Sequence, residues 1–354
     1  MDSFWRSLAT VNPSTRHIPF KPRPSALRDL AITLACSYLV DITGKEVLYP
    51  SLGAHLGVGA TFSVERKEAR GQKLVAIKHI RKDDNSNEAR DSRYAEQTRM
   101  ALEAVLVEVQ VLVHLGTLDP KNIVEILAYG WDEGPLPYLV QEYADLGTLN
   151  LFLAEKNQLW EQKARISIGI ASGLDLMHSC DIIHGDVKLE NILVFSDPQN
   201  GFEAKLADFG FCCSENIGQR KFRGTRVYNA PEIRNQDIED GQAAEVADYT
   251  KADVYAFGLV LWEIANNGRR YYTVPGIGIQ PDDEQVDLAS AFLAHLDSNV
   301  LEITPYALAF LDGLDIPRQI FQAMSSALQM TLARDPEVRA DILDVRLELD
   351  PSNE

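Results

Sequence analysis

Three residues within the octet HGDVKLEN, at positions 184–191, have side chains that could together transfer a phosphoryl group. Asp186 can accept a hydroxyl proton, Lys188 can neutralise charge on the moving group, and the amide oxygen of Asn191 can bind magnesium. The apolar runs at 181–183 and 192–194 flank the octet and predict buried strands that hold it rigidly. Taken alone, the octet also fits a solvated loop, so other segments must decide between the two interpretations.

Length, composition and charge limit the classes of protein to be considered. The chain has 354 residues, 45% of them hydrophobic, which is enough for one long domain or two lobes. A formal net charge of −18 argues against a nucleic-acid partner or an acidic membrane surface. Residues 31–40 form the best candidate for a membrane span, but this apolar run is too short.

The cysteine residues indicate a reducing compartment. The chain has four cysteines, and their spacing matches no metal-binding pattern. Adjacent residues such as Cys212 and Cys213 rarely form a disulfide, because the geometry is strained. We therefore expect reduced thiols and a cytoplasmic location, with the nucleus left open.

Three segments before the octet have residues suited to holding a nucleotide. Gly57 and Gly59 would let a hairpin turn approach a phosphate closely, although many ordinary hairpins contain two glycines. The apolar run VAIK ends in Lys78, which is either an edge lysine or a phosphate ligand. Apolar residues recur at helical spacing over 98–115 and predict a helix bearing Glu108, with Glu103 on a different face.

Together these segments resemble the catalytic domain of eukaryotic protein kinases. The octet matches H-R-D-L-K-x-x-N with Gly185 in place of arginine, and residues 57–64 match G-x-G-x-x-G-x-V with Phe62 in place of the third glycine. Further matches are VAIK at 75–78, DFG at 208–210, GTRVYNAPE at 224–232, KADVYAFGLVLWE at 251–263 and RDPEVR at 334–339.

The resemblance implies an α+β fold of two lobes. A small lobe with an antiparallel sheet and one regulatory helix would span 48–143, and a larger, mainly helical lobe would span 144–345. Residues 1–47 would be an N-terminal extension and 346–354 a tail. Leu27–Leu39 could form a short amphipathic helix in the extension, either for docking or for packing on the small lobe.

The resemblance also implies roles for individual residues, with ATP and Mg²⁺ as cofactors. The catalytic residues would be Asp186, Lys188, Asn191, Lys78 and its partner Glu108. The nucleotide, in the cleft between lobes, would contact Leu56, Gly57, Gly59, Val64, Ala76, Lys78, Glu142, Ala144 and Leu193. Magnesium would be bound by Asn191 and Asp208. Gln141 would lie at the back of the pocket, Asp253 would anchor the catalytic loop, and Arg339 would pair with Glu232.

We therefore predict a serine/threonine kinase of the tyrosine-kinase-like branch that phosphorylates a protein and needs no phosphorylation of its own activation loop. Lys188 and Thr225 favour serine or threonine as acceptor. The alternatives are a pseudokinase that acts as a scaffold, suggested by Phe62 and Gly185, and a small-molecule kinase, which would lack the A-P-E segment. Docking partners would bind through residues 1–47 or 269–317.

Overall fold

The computed structural model describes residues 26–59, 61–71, 73–81, 92–118, 120–131, 136–155, 158–199, 201–214, 224–236, 249–273, 289, 291–294 and 302–350. The chain divides into two compact units. Unit 1 comprises Met1–Asp145 and Asp208–Gly218, and unit 2 comprises Leu146–Ala207 and Gln219–Glu354. A sheet forms the centre of unit 1, whereas helices dominate unit 2.

Unit 1 is built on a six-stranded sheet with the order β1-β5-β6-β4-β3-β2. Its strands are β1 (Val40–Asp41), β2 (Leu48–Val58), β3 (Phe62–Ala69), β4 (Lys73–Ile80), β5 (Ile126–Trp131) and β6 (Pro137–Glu142). All neighbouring strands are antiparallel except β1 and β5. Buried β-branched residues such as Val75, Ile77 and Val140 form the core on one face of this sheet.

Two helices of unit 1 pack against each other. They are α1 (Ala26–Cys36), which belongs to the predicted N-terminal extension, and α2 (Ser92–Gly116). Leu30 and Leu34 are four residues apart, so they lie on one face of α1, and both are buried. The described part of the extension therefore contains the expected short helix, and that helix packs within unit 1.

Unit 2 consists mainly of helices. They are α3 (Leu149–Glu155), α4 (Trp160–Ser179), α5 (Pro231–Gln236), α6 (Tyr249–Ala265), α7 (Thr304–Asp312), α8 (Arg318–Thr331) and α9 (Ile342–Leu349). A hairpin of β7 (Ile192–Asp197) and β8 (Gly201–Leu206) accompanies them. Every residue of α6 from Ala252 to Ala265 is buried, so this helix forms the centre of the unit. Gly258 lets the end of α8 come close to α6, because a Cβ at this position would lie 2.7 Å from Leu332, the residue that follows α8.

Several predicted features fall outside the described residues. They include residues 1–25 of the predicted extension, part of the activation loop at 215–223, and most of 274–301 in the predicted docking segment. Within the described part of 269–317, a short 3-10 turn at Tyr271–Thr273 precedes α7. None of the helices in the ranges given above is both long and apolar enough to cross a membrane.

Candidate active site

The buried ion pair of unit 1 joins Lys78, near the end of β4, to Glu108 on α2. The Lys78 ammonium lies 2.5 Å from Glu108 Oε1, and the Gln141 amide donates to the same oxygen at 3.1 Å. Complete burial raises the pKa of the Glu108 carboxyl, and the negative charge of Asp208 adds to this rise despite the opposing effect of Lys78. Glu103, the alternative partner, instead pairs with Arg99 at 2.9 Å. The pairing of Lys78 with Glu108, which the resemblance implied, is therefore present in unit 1.

The predicted nucleotide contacts of unit 1 lie along β2–β4 and the end of β6. Gly59 donates its backbone N–H to Phe62 O at 2.8 Å, which closes the glycine turn between β2 and β3. Val64 lies opposite Lys78 in the ladder, and Ala76 lies two residues before Lys78 on the same strand. Leu56 is exposed at the end of β2. These positions place a glycine turn, two small apolar residues and a lysine in one part of the sheet.

The predicted adenine-binding segment follows β6 and leads into Ala144. The backbone N–H of Glu142 donates to Glu125 O at 3.1 Å, and the Glu142 carboxylate accepts from Glu125 N at 2.8 Å. One of the backbone groups predicted to contact adenine therefore already has a partner within unit 1. Leu193 belongs to unit 2, where it forms a bridge with Thr148.

Asp186 of unit 2 lies at the centre of a cluster of hydrogen bonds. Its Oδ2 accepts from Lys188 Nζ at 2.6 Å and from Asn191 Nδ2 at 2.8 Å. Its Oδ1 accepts from the backbone N–H and the hydroxyl of Thr225, at 2.8 and 2.7 Å. Burial raises the pKa of Asp186, but the Lys188 charge and the donors of Lys188 and Thr225 outweigh it, so this pKa is lower than usual. The group is a carboxylate at neutral pH.

Asp253 of α6 holds the backbone of the catalytic loop, as predicted. Its carboxylate accepts from His184 N at 2.7 Å and from Gly185 N at 2.9 Å. Gly185 has a φ of +77°, a conformation that side chains disfavour, so the loop geometry itself favours glycine at this position. His178, at the end of α4, also contacts Asp253 at 3.0 Å and had not been predicted.

The strand predicted on one side of this loop is wrong. Ile192 begins β7 as expected, but residues 181–183 form no strand, although Ile182 and Ile183 are buried. Asp181 has a φ of +57° in the turn after α4. Of this run, Ile183 forms only an isolated bridge, so the loop is not preceded by a strand.

Asp208 belongs to unit 1 and precedes a 3-10 turn formed by Phe209–Phe211. It has a φ of +63°, which is rare for a residue with a side chain and is typical of functional sites. Phe209 is fully buried, and the Gly210 backbone lies so close to α2 that a Cβ would be 3.3 Å from Ala104 Cβ. The turn therefore packs against the helix that contains Glu108.

Comparison with known proteins identifies the family of this chain. The family described as "Protein kinase domain" matches residues 51–340. This chain belongs to the protein kinase family. The predicted fold class is thereby confirmed, with a sheet-based unit 1 and a helical unit 2.

Individual relatives include serine/threonine and tyrosine kinases. The chain is 32% identical over 232 residues to the Pelle-like serine/threonine-protein kinase pik-1 of Caenorhabditis elegans, covering 61% of this chain and 42% of that protein. It is 32% identical over 253 residues to the probable serine/threonine-protein kinase roco5 of Dictyostelium discoideum, covering 69% and 8%. It is 28% identical over 240 residues to the mouse megakaryocyte-associated tyrosine-protein kinase, covering 67% and 40%. The chain spans less than half the length of these relatives.

Another ion pair of the kinase, within unit 2, joins Glu232 to the buried Arg339. The guanidinium binds the carboxylate through two nitrogens, at 2.7 and 3.1 Å, and also donates to the Lys251 carbonyl at 2.7 Å. Arg339 is buried, so its planar group satisfies several acceptors at once. The pairing predicted from the A-P-E segment is present.

One cluster of the kinase was not predicted. Arg270 binds Glu190 of the catalytic loop and the Tyr228 hydroxyl, and it lies 3.6 Å from the buried Glu263. Burial raises the pKa of Glu263 to about 7, although hydrogen bonds from Tyr228 and the charge of Arg270 act against it. Glu263 lies within the recognised 251–263 segment, but no sequence signal marked Arg270 as its partner.

Asn191 of unit 2 and Asp208 of unit 1 each offer the kind of oxygen ligand that a small hard cation prefers. Asn191 donates its amide nitrogen to Asp186 O and Oδ2, which leaves the amide oxygen as the ligand atom. Asp208 provides a carboxylate. The described residues contain no cluster of three or more acidic, histidine or cysteine ligands. Magnesium bound together with nucleotide phosphates requires only one or two protein oxygens.

Proposed function

We propose that this kinase transfers the γ-phosphoryl group of ATP to serine or threonine residues of a protein. The observation that supports this most directly is the cluster in which Asp186 accepts hydrogen bonds from both Lys188 and Thr225. Lys188 also donates to the Thr225 hydroxyl at 2.8 Å, which closes a triangle of the three side chains. The relatives named as serine/threonine kinases agree with this proposal.

In the proposed reaction, the acceptor hydroxyl oxygen forms a bond to the γ-phosphorus. The bond between that phosphorus and the β–γ bridging oxygen breaks, and ADP leaves with the electron pair. The hydroxyl proton passes to Asp186, which the surrounding donors keep ionised at neutral pH.

The Asp186 carboxylate already accepts four hydrogen bonds, which is about the capacity of its lone pairs. An acceptor hydroxyl must therefore replace one of these donors. The Lys188 side chain is 21% exposed and long, so it can turn from Asp186 towards the transferred phosphoryl group. Lys78, held by Glu108, would bind the α- and β-phosphates. Magnesium, bound by Asn191 and Asp208, would neutralise phosphate charge.

The acceptor residue can be identified directly. Purified protein would be incubated with labelled ATP and a generic basic protein, and the products hydrolysed for phosphoamino-acid analysis. We expect phosphoserine and phosphothreonine in the wild type and none in Lys78→Met or Asp208→Asn. Phosphotyrosine as the only product would contradict the proposed acceptor. Equal incorporation by all three proteins, or none by the wild type, would favour the pseudokinase alternative.

The proposal includes activity without phosphorylation of the activation loop. Gly185 has no side chain that could bind a loop phosphate, and its positive φ disfavours an arginine there. Ser214 is the hydroxyl residue between Gly210 and Gly224. The test compares phosphatase-treated wild type with Ser214→Ala. Retention of most of the initial rate by both supports the proposal, and a loss of about a hundredfold contradicts it.

We also propose a cytoplasmic location and docking partners at residues 1–47 or 269–317. All four cysteines lie among the described residues, and none forms a disulfide, which supports a reducing compartment. Fractionation of cells that express the tagged chain would test the location. Deletion of residues 1–25, which precede α1, would test docking while leaving that helix in place.

A further inference from the structure

Phe62 is the residue of unit 1 that the proposed reaction leaves unexplained. It begins β3 directly after the glycine turn, at the position where the family pattern has its third glycine. Only 5% of Phe62 is exposed. A residue at this point of the turn is expected to be small if phosphates are to approach the backbone. A buried aromatic ring here therefore needs a specific partner.

That partner is Lys78. In the β3–β4 ladder Phe62 lies opposite Ile80 and Val64 lies opposite Lys78, so Phe62 and Lys78 are diagonal neighbours on one face. The Lys78 ammonium lies 4.2 Å from the centre of the Phe62 ring. This is well within the range of a cation–π contact, which is strongest when the cation is removed from water.

The two contacts together enclose the ammonium group. Glu108 binds it at 2.5 Å, the Phe62 ring covers another side, and the Lys78 side chain is only 10% exposed. A phosphate oxygen must approach to about 2.8 Å to form a charge-assisted hydrogen bond with this nitrogen. The Glu108 contact cannot be released easily, because it would leave a fully buried carboxylate without a cation. The ring is therefore the contact that a phosphate would replace.

We propose that Phe62 sets the affinity of the nucleotide site for phosphate-bearing ligands. The Phe62 ring contacts the Lys78 ammonium until the phosphates of a nucleotide displace the ring. Binding of ATP or ADP therefore includes the loss of the cation–π contact, which weakens the binding. Adenosine does not need Lys78 and binds without displacing the ring. This inference rests on the proposed role of Lys78 as a phosphate ligand.

The test measures dissociation constants by titration calorimetry for adenosine and for a non-hydrolysable ATP analogue with magnesium. The variants are Phe62→Ala, which removes the ring, and Phe62→Leu, which keeps apolar bulk but has no π face. We expect the ratio of the adenosine constant to the ATP-analogue constant to rise about tenfold in Phe62→Ala, with adenosine binding nearly unchanged. Phe62→Leu should show most of the same increase. Thermal unfolding would verify that each variant is folded.

Three results would overturn the inference. An unchanged ratio in Phe62→Ala means that the ring does not compete with phosphate. Equal changes for adenosine and the ATP analogue mean that the ring shapes the adenine site instead. A wild-type ratio in Phe62→Leu means that bulk, and not the ring face, matters.

Lys78→Met, measured in parallel, separates this inference from the proposed function. If its ratio falls while that of Phe62→Ala stays at the wild-type value, the inference alone fails. If the ratio of the two dissociation constants in Lys78→Met equals that of the wild type, Lys78 is not a phosphate ligand and both proposals fail.

Discussion

Each unit contains a pair formed by a lysine and a carboxylate at nearly the same distance, yet the two carboxyl groups differ in their pKa. Lys78 lies 2.5 Å from Glu108 in unit 1, and Lys188 lies 2.6 Å from Asp186 in unit 2. Burial and nearby negative charge raise the pKa of Glu108 above its ordinary value. Burial also acts on Asp186, but the lysine and the other donors lower its pKa overall. A close lysine therefore does not by itself decide the charge state of a buried acid.

Besides burial and the charge of Asp208, the number of hydrogen-bond donors contributes to the difference. Glu108 accepts from Lys78 and Gln141 through Oε1, while its Oε2 has no hydrogen-bond partner among the residues that the structure describes. Asp186 accepts four bonds, two on each oxygen. Donors to an ionised carboxylate stabilise its charge, and a buried oxygen without donors does the opposite. The negative charge of Glu108 is stabilised mainly by Lys78, whereas that of Asp186 is stabilised by several hydrogen-bond donors.

The largest effect is expected from Asp186→Asn. It removes the proposed proton acceptor and the negative charge that orders its donors, so we expect kcat to fall by about a thousandfold. The matched control is Asp181→Asn, an exposed residue of the same segment whose positive φ asparagine tolerates. Steady-state kinetics with saturating ATP would measure both. A variant rate within threefold of the wild type would exclude Asp186 as the base.

Lys78→Met removes the ion pair of unit 1, and Lys188→Met removes that of unit 2, so the two variants can be compared. Loss of Lys78 leaves Glu108 buried without a cation, so unfolding free energy should fall by about 3 kcal/mol at pH 8. Because the pKa of Glu108 is raised in the folded state, the folded protein binds more protons than the unfolded chain. Its stability therefore decreases as pH rises above the ordinary carboxyl range, and Lys78→Met should steepen this decrease.

Lys188→Met should behave differently, because Asn191 and Thr225 still donate to Asp186. We expect a loss of less than about 1 kcal/mol with little added pH dependence. Urea unfolding at pH 5 and pH 8 would measure both variants, with Lys73→Met at the exposed start of β4 as control. Equal pH dependence in the two variants would contradict the role assigned to the donors.

A smaller effect is expected from Thr225→Ala, which removes the hydroxyl that bridges Asp186 and Lys188. We expect kcat to fall by about tenfold, the value of one hydrogen bond to a charged group. Because this donor helps to lower the pKa of Asp186, its loss raises that pKa, and the acid limb of the rate profile moves to higher pH. Thr225→Ser should restore both. An acid limb that stays in place in the alanine variant would show that the hydroxyl does not support the charge of Asp186.

The sequence predicts the parts of this site that are local or lie at a characteristic spacing. The octet at 184–191 is found from residue types and spacing, whereas the partners of Lys78 and Arg339 follow from the resemblance to protein kinases. Contacts that depend on how side chains turn in the folded protein were not predicted. Arg270 binds Glu190, which is 80 residues away in the sequence, and Gln141 binds Glu108, which is 33 residues away in the sequence. A residue type cannot reveal which of several nearby acceptors it will bind.

Gln141 offers the finest test of the comparison, because it is the second donor to Glu108. Replacement by methionine keeps similar volume and removes the hydrogen bond at 3.1 Å. Since this bond favours the charged form, its loss should raise the pKa of Glu108 further. At low pH, a smaller fraction of the variant than of the wild type then has an ionised Glu108 that can pair with Lys78. We expect kcat at pH 8 to change by less than about threefold, with the acid limb of the rate profile moved to higher pH.

Gln110→Met is the matched control, since Gln110 is a buried glutamine two residues further along α2. It should leave the pH profile unchanged, because Glu108 accepts from Gln141 and not from this side chain. A profile that moves equally in both variants would reflect a general loosening of α2. A profile that moves in neither would mean that Lys78 alone sets the charge of Glu108, and the explanation by donor number would be wrong.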